Sequence, residues 1–237
     1  MGASHLQDAE QNRLLRSLSS AEYERLLPSF ETVSLPLGHV LYEAREPIGH
    51  VYFPQRCVIS MLTVMEDGAT VETESVGNEG LVGLPVFLGA RESPARVISQ
   101  IPDDAKRIAA DDFRCAVEES APLRGLLLRY TQTVVTQISQ TAACNRLHSM
   151  EERCARWLLM THDRVGGGDS FPLKQQFLAY MLGVRRATVT VAAGMLQKAG
   201  LIHYTRGKIT ITDRAGLEDA SCECYRVIRD NYERLLG

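Results

Sequence analysis

The stretch LGVRRATVTVAAGMLQKAGLI, residues 182–202, decides the fold of the C-terminal part of the chain. It opens with a turn at Gly183, continues with the adjacent Arg185 and Arg186, and then runs as a helix that Gly200 ends at a C′-type position. Small and apolar residues recur behind the arginines at helical spacing, at Val189, Ala193, Leu196 and Leu201. The stretch is therefore either an ordinary helix with a solvated cap or a helix whose leading edge contacts an anion.

The segments on both sides favour contact with an anion. KQQFLAYML (174–182) predicts a helix before the turn, and LIHYTRGKITITD (201–213) predicts two short strands with Arg206-Gly207-Lys208 at the tip. Two helices that are joined by a tight Gly turn and followed by a hairpin have the layout of a winged helix-turn-helix.

In that geometry, the N-terminal turn of the second helix meets base edges in the major groove of DNA. An arginine can make two hydrogen bonds to guanine, which discriminates by ~1–3 kcal/mol against other bases, and hydroxyl and amide groups bind phosphates. The predicted DNA-binding residues are Arg185, Arg186, Thr188 and Thr190 on the leading edge, Gln175 and Gln176 on the preceding helix, and Arg206 and Lys208 on the wing.

The formal net charge of −3 conceals an uneven distribution of charge along the chain. Residues 149–214 contain ten Lys or Arg and five Asp or Glu, whereas residues 1–148 contain thirteen and nineteen. A locally basic segment indicates contact with a polyanion more strongly than the charge of the whole chain does. This pattern supports double-stranded DNA as the partner of the C-terminal segment.

The first half of the chain has a different hydrophobic period. Between about Phe30 and Ile108, short β-rich pieces such as HVYFP (50–54) and CVISMLTVM (57–65) alternate with Gly-containing turns, which is typical of a β-sandwich, roll or barrel. Two short helices precede them, the second with capping-box spacing at Ser19 and Glu22. We therefore predict an α+β fold with a β-roll effector domain over residues 1–110, a dimerisation helix and hinge over 111–148, and the winged helix-turn-helix with a C-terminal helix over 149–237.

The predicted dimerisation helix lies in SAPLRGLLLRYTQTVVTQISQTAACNRLHS, residues 120–149. A narrow seam recurs there every three or four residues, and such a seam favours a partner helix. The predicted dimer interface consists of Leu127, Tyr130, Val134, Ile138 and Thr141. The alternative is a helix that lies on the β domain of its own chain. Beyond the seam, Ser149 and Glu152 form a second capping box at the start of the next helix.

Cysteine and histidine usage favours a reducing, cytoplasmic location. The six cysteines show neither a disulfide framework nor zinc-finger spacing, and Cys222-Glu-Cys224 is the one close pair, with an ordinary helix carrying two thiols as the preferred interpretation over a metal or redox role. His148 and His162 are interpreted as hinge and surface histidines, so we predict no metal and no cofactor. No apolar run approaches the ~18 residues of a membrane helix, and the N-terminal residues lack the layout of a signal peptide.

Several stretches resemble the Crp/Fnr family of bacterial transcription regulators. They are FLAYMLGVRRATVTVAAGMLQKAGLIHYTRGKITITDRAGLE (177–218), HVYFPQRCVIS (50–60), GNEGLVGLPVFLG (77–89) and the ending SCECY (221–225), similar to an extension in one subgroup. The resemblance implies a homodimer along the long helix, a jelly-roll effector domain and a two-fold symmetric operator. RNA polymerase is a further candidate partner. Many members have a glutamate where Ala187 stands here, so we expect a different operator sequence.

The effector predicted from this resemblance is not a cyclic nucleotide. Members that bind one carry a Gly-Glu pair, whose Glu meets the ribose, followed by Arg-Ser or Arg-Thr for the cyclic phosphate. Here Leu81 falls near the glutamate position, and neither Arg-Ser nor Arg-Thr follows it. Glu79, Arg91, Ser93 and Arg96 are the candidates to line a pocket for an unidentified small molecule, with a solvated loop as the alternative.

The predicted function is a dimeric, sequence-specific DNA-binding regulator rather than an enzyme, because no nucleophile, general base and oxyanion donors converge in the sequence. The alternative is a small-molecule sensor or cupin-like protein whose C-terminal helices mediate protein contacts.

Overall fold

The computed structural model describes residues 10–166 and 168–236, and its first half is built from two antiparallel sheets. One sheet has the strand order β1-β7-β3 and the other β2-β6-β4-β5. The strands are β1 (Glu31–Leu35), β2 (Val40–Tyr42), β3 (His50–Pro54), β4 (Val58–Val64), β5 (Thr70–Val76), β6 (Arg96–Ile101) and β7 (Asp103–Ala109). We call residues 31–109 the β domain. The α+β class and the antiparallel sheets confirm the predicted fold class.

Short helices border the β domain on its N-terminal side, as the sequence predicts. They are α1 (Arg13–Arg16) and α2 (Ser20–Leu26), and α3 (Leu84–Phe87) lies within the β domain. The Ser19 hydroxyl accepts a hydrogen bond from the Glu22 amide and so caps α2. The Glu22 carboxylate does not complete a capping box there; it contacts Arg25 and the Ser120 hydroxyl.

Three helices follow the last strand of the β domain. They are α4 (Ala110–Glu119), α5 (Ala121–Leu147) and α6 (Met150–Val165). Ser120 separates α4 from α5 and caps α5 through its side chain, so the predicted segment 111–148 contains two helices. Ser149 and Glu152 form the predicted capping box at the start of α6. The end of α6 at Gly166 adopts a left-handed conformation, and Gly167 of the predicted glycine run lies outside the described residues.

The C-terminal segment, residues 168–236, contains the predicted pair of helices and hairpin. Its elements are β8 (Ser170–Pro172), α7 (Gln175–Leu182), α8 (Arg186–Lys198), β9 (Ile202–Thr205), β10 (Lys208–Ile211), α9 (Arg214–Asp219) and α10 (Cys224–Leu236). The hairpin gains a third strand, because β8 pairs with β10 and gives the order β8-β10-β9. The sequence did not predict β8, since three residues are too few to show an alternating pattern.

Two turns set the geometry of this segment. Gly183 ends α7 with φ +63°, a left-handed conformation that glycine adopts without a Cβ clash. Arg206 and Gly207 have φ +49° and +79°, which is the type I′ geometry that a two-residue hairpin favours. Behind the turns, Val189, Ala193 and Leu196 are buried as predicted.

The structure corrects the predicted dimer seam on α5. Leu127, Tyr130 and Val134 are at most 4% exposed, because they fill the core of their own chain. The Tyr130 hydroxyl donates a hydrogen bond to the Leu81 carbonyl oxygen at 3.1 Å. A Cβ atom at Gly80 would lie 2.3 Å from that hydroxyl, so the close approach requires glycine. These three predictions are wrong, and the alternative, a helix lying on its own β domain, holds for this face of α5.

The adjacent face of α5 carries the exposed apolar residues. Leu128, Val135 and Ile138 are 58%, 52% and 42% exposed, and the predicted Thr141 is half-buried beside them. Residues 128, 135 and 142 are seven apart, and residue 138 follows residue 135 by three, which is the spacing of a coiled-coil seam. We call Leu128, Val135 and Ile138 the outer seam.

Helix α6 packs against the β domain through buried polar contacts. The Trp157 indole donates to the Glu72 carboxylate at 2.9 Å, and burial raises the pKa of Glu72 against the hydrogen bonds from Ser60 and Trp157. Arg164 donates to Glu79 at 2.8 Å and to the Ser75 hydroxyl at 2.6 Å. These hydrogen bonds and the Arg164–Glu79 ion pair offset the cost of burying charged groups between α6 and the β domain.

The domain boundaries at 110 and 148 stay a prediction. The sheets of the β domain end at Ala109, and α6 begins at Met150. Residues 1–9 and 237 of the outer predicted domains lie outside the described residues. Among the helices of the described part, none is both long and apolar enough to cross a lipid bilayer.

Candidate DNA-binding site

The leading edge of α8 (Arg185, Arg186, Thr188 and Thr190) is exposed along its whole length. Arg185 is the N-cap residue and has an extended backbone conformation, and its side chain makes no capping hydrogen bond. The first turn of α8 contains no acidic residue. The first amides of a helix point outward and carry partial positive charge, so this end of α8 is suited to an anion such as phosphate.

The predicted cations are free of acidic partners. Within residues 10–166 and 168–236, no carboxylate lies within salt-bridge distance of Arg185, Arg186, Arg206 or Lys208. Elsewhere in the molecule, the exposed Arg25 and the half-buried Arg107 do pair with glutamates. The four charges therefore remain available to an external anion.

The starts of α7 and α8 and the wing converge on one surface. The Thr190 hydroxyl donates to the Gln175 side-chain oxygen at 2.9 Å, which links the two helices. Burial raises the pKa of Tyr204 on β9, and a hydrogen bond with the Gln175 backbone and the positive charge of Arg186 oppose this shift. Gln175, Arg186 and Thr190 are thus neighbours, as the helix-turn-helix layout predicts.

The wing lies beside the N-terminus of α7. The Leu173 amide donates to the Gly207 carbonyl oxygen at 2.8 Å, and the Tyr204 hydroxyl donates to the Leu173 carbonyl oxygen at 2.5 Å. Arg206 is exposed at the tip, and Lys208 is exposed at the first position of β10. Both charges can therefore reach a nucleic-acid backbone that contacts α8.

The remaining predicted residues and two others complete the surface. Gln176 and Thr188 are exposed. Val191 and Met195, which the sequence analysis did not select, are 62% and 53% exposed on α8. Apolar side chains at such positions contact thymine methyl groups in a major groove. The sequence does contain a signal for these two residues. They are apolar, and they follow Thr188 by three and seven positions, which places them on the same face of the helix as Thr188 and outside the buried stripe.

The predicted effector residues are not brought together as a group. The Glu79 carboxylate is engaged by Arg164 of α6 at 2.8 Å, so we reassign Glu79 to the contact between α6 and the β domain. The Ser93 hydroxyl donates to the Ala95 carbonyl oxygen at 2.6 Å, and Arg96 lies 3.4 Å from Glu43. Arg91 is exposed. A ligand role for the last three stays a prediction.

A second group of chemically active side chains lies at the junction of α5 and α10. Cys144, His148, Cys222 and Cys224 place their ligand atoms within 4.8 Å of one another. The sequence predicts no metal site, because these residues are separated along the chain and lack a known spacing.

Comparison with known proteins identifies the C-terminal segment. Residues 152–220 match the model of the Crp-like helix-turn-helix domain. Among curated proteins, none matches the sequence. These residues include the leading edge of α8, the preceding helix α7 and the wing.

Solved structures resemble the chain over most of its length. FixK2 from Bradyrhizobium japonicum has a TM-score of 0.70 at 16% identity, with 81% of this chain and 98% of that chain covered. A protein described as a regulator of the Crp/Fnr family from Eubacterium rectale has a TM-score of 0.67 at 18% identity, with 87% and 96% covered. The c-di-GMP responsive global regulator CLP of Xanthomonas campestris has a TM-score of 0.63 at 16% identity, with 81% and 99% covered.

At these identities, the likeness shows a shared fold. The chain thus contains a Crp-like helix-turn-helix domain over residues 152–220, and over most of its length it shares the fold of these solved structures. The resemblance seen in the sequence is confirmed at this level.

Proposed function

We propose that the protein is a sequence-specific transcription regulator that binds a palindromic DNA operator as a homodimer in the bacterial cytoplasm. The observation that carries the proposal is the basic leading edge of α8 next to the basic wing, since neither forms a salt bridge with a carboxylate of the described residues. Arg185 and Arg186 would read bases, whereas Gln175, Gln176, Arg206 and Lys208 would hold phosphates. The Crp-like helix-turn-helix domain over residues 152–220 supports this assignment.

Selection of DNA from a randomised duplex library by the full chain tests the function. We expect enrichment of a two-fold symmetric sequence whose half-sites lie about 10–10.5 bp apart, or a multiple of that spacing. The affinity for the selected sequence should fall steeply with salt, because bound phosphates release counterions. A selection that enriches no sequence, together with no retardation of a mixed-sequence duplex at low salt, would contradict the proposal.

The proposed dimer forms through the outer seam. Leu128, Val135 and Ile138 expose apolar surface at heptad spacing on α5. Pairing of two such helices would bury these side chains at ~25 cal/mol per Å² of apolar surface. The dimer would place two copies of α8 symmetrically, as a palindromic operator requires.

Replacing both Val135 and Ile138 with glutamate is expected to convert the dimer into a monomer. Two carboxylates in each helix would be buried against their symmetry mates without a partner, which costs more than the apolar contacts contribute. Sedimentation velocity of the full chain measures the change. Leu88→Glu is the matched control, because Leu88 is 60% exposed and lies in the β domain, away from α5. A dimer that survives in the double variant would show that another surface forms it.

The proposed switch acts at the hinge between α5 and α6. Leu147 ends α5, Ser149 caps α6, and His148 adopts an extended conformation between them. An effector other than a cyclic nucleotide would shift the population of two orientations of the C-terminal segment relative to α5. The contacts of Trp157 and Arg164 with the β domain would be present in one of these orientations.

A further inference from the structure

The cluster at the junction of α5 and α10 has the composition of a metal site. Cys144 and His148 lie one turn apart at the end of α5, and Cys222 and Cys224 lie at the start of α10. All three thiols are buried, at 0%, 4% and 0% exposure for Cys144, Cys222 and Cys224, and His148 is partly buried. Three soft sulfur ligands with one imidazole are a donor set that Zn²⁺ prefers in structural sites.

Two of the distances between ligand atoms in the cluster match those around a tetrahedral ion. The Sγ atoms of Cys144 and Cys222 are 3.5 Å apart, and the Sγ atom of Cys224 is 3.5 Å from Nδ1 of His148. Zinc–sulfur bonds of ~2.3 Å and zinc–nitrogen bonds of ~2.0–2.1 Å place tetrahedral ligand atoms roughly 3.4–3.8 Å from one another. A disulfide would need its sulfur atoms ~2.05 Å apart. The side chains therefore stand close to the spacing of metal ligands without further movement of the helices.

The His148 ring is oriented as a ligand. Its Nδ1 atom faces the thiols, and its Nε2 atom lies 3.2 Å from the Glu223 carboxylate. A carboxylate that accepts from one ring nitrogen leaves the lone pair of the other nitrogen free for a metal ion. The residue between the two cysteines of Cys222-Glu-Cys224 thus holds the imidazole in the required direction.

Polar and positively charged groups lie beside the cluster. The Gln140 amide donates to the Cys224 sulfur at 3.1 Å. In the described part of the chain, the buried Nε atoms of Arg153 and Arg156 have no hydrogen-bond partner. Three thiolates and one Zn²⁺ carry a net charge of −1, which these guanidinium groups would neutralise.

We propose that Cys144, His148, Cys222 and Cys224 form a closed tetrahedral Zn²⁺ site that joins the end of α5 to the start of α10. Binding replaces three thiol protons, which pass to solvent, and forms three zinc–sulfur bonds and one zinc–nitrogen bond without a change in oxidation state. The site revises the expectation from sequence that the protein holds no metal.

The position of the site gives it a structural consequence. His148 is the residue at the hinge, so the ion would fix the C-terminal helix α10 to the end of α5 next to the start of α6. If the protein acts as the proposed DNA-binding regulator, on which this step rests, the metal would hold the two α8 helices in one orientation. Its removal would lower the affinity for DNA through the loss of that orientation.

Metal content of the full chain, purified with a thiol reductant and loaded with Zn²⁺, tests the site directly. We expect one zinc ion per chain by elemental mass spectrometry, and loss of that ion in Cys144→Ser, Cys224→Ser and His148→Ala. Cys115→Ser, at an exposed thiol outside the cluster, and Cys57→Ser, at a buried one, are the matched controls that should keep the ion. Glu223→Gln should weaken the affinity for zinc by about 10-fold, because it removes the negative charge beside the imidazole.

Cobalt provides a second readout that does not depend on the stability of the variants. The wild-type chain loaded with Co²⁺ should show thiolate-to-cobalt charge-transfer and the d–d absorption of a tetrahedral ion. Absence of these bands, or equal zinc content in wild type and Cys144→Ser, would overturn the proposal. So would a wild-type chain that, under reductant, retains a Cys144–Cys222 disulfide and takes up no metal.

Binding of the selected DNA after chelation separates this inference from the proposed function. A drop of at least about 10-fold that Zn²⁺ restores would support the coupling of the ion to DNA binding. Equal DNA affinity of the zinc-loaded and the zinc-free chain would overturn the coupling of zinc to DNA binding, but it would not contradict the zinc site itself. A chain that binds zinc but no DNA would overturn the proposed function alone.

Discussion

Replacing both Arg185 and Arg186 with alanine is expected to weaken binding to the DNA sequence that the wild-type chain selects by roughly 30-fold or more. Each arginine that makes two hydrogen bonds to a guanine contributes ~1–3 kcal/mol. Loss of two arginines therefore costs at least about 2 kcal/mol, which corresponds to a roughly 30-fold weaker affinity. Both residues are exposed and lie outside the core, so the fold should persist. Fluorescence anisotropy with labelled duplexes at several salt concentrations measures the effect.

Lys198→Ala is the matched control for the arginine variant. Lys198 is an exposed cation on the same helix, in its last turn and thus about 18 Å along the axis from Arg186. Its loss should leave sequence preference unchanged. The double arginine variant should also lose the difference between selected and scrambled duplexes, since base readout and not only charge is removed. Wild-type affinity and preference in that variant would contradict the assignment of the leading edge of α8.

Replacing Arg164 with methionine is expected to lower the free energy of unfolding by about 3–5 kcal/mol. Arg164 is 5% exposed, and its guanidinium contacts Glu79, Ser75 and Gln137. Removing one partner of a buried ion pair leaves the other charge uncompensated, which is the costly case. Urea denaturation followed by tryptophan fluorescence is suitable, because Trp157 lies on the same helix against the β domain.

Two further variants separate this effect from a general effect of charge. Arg25→Met removes a surface arginine that pairs with Glu22 and Glu119, and it should change stability by less than about 1 kcal/mol. Adding Glu79→Gln to Arg164→Met should restore part of the loss, because the carboxylate that Arg164 contacts directly is then replaced by a neutral amide. An Arg164→Met variant as stable as wild type would show that the pair does not hold α6 on the β domain.

The C-terminal segment followed from local rules that the sequence displays. Gly183 and Gly200 end helices, Arg206-Gly207 makes a tight hairpin turn, and Ser149 starts α6 with Glu152 as its partner. Each of these signals depends on the backbone preferences of a few neighbouring residues, so it can be seen without the rest of the molecule. Prediction of the basic leading edge of α8 required one further observation from the sequence, the local excess of Lys and Arg.

The face of α5 that joins the core was decided by packing with distant residues. The helix carries two adjacent apolar stripes, with Leu127, Tyr130 and Val134 buried in one and the outer seam exposed in the other. Periodicity identifies an apolar stripe but not which stripe meets the chain's own sheets. Gly80 is far from α5 in sequence, and its lack of a side chain leaves room for the Tyr130 ring to pack against the β domain.

The long helix, the β-rich half and the winged helix pair were all determined by sequence, because hydrophobic period and turn residues act over a few positions. The partner of Glu79 and the grouping of Cys144 and His148 with Cys222 and Cys224 arose only in the tertiary structure. Those contacts join residues more than seventy positions apart. Local backbone preferences do not determine which helix ends become neighbours in the folded chain. Their position is set by how α5, α6 and α10 pack as whole bodies around one core.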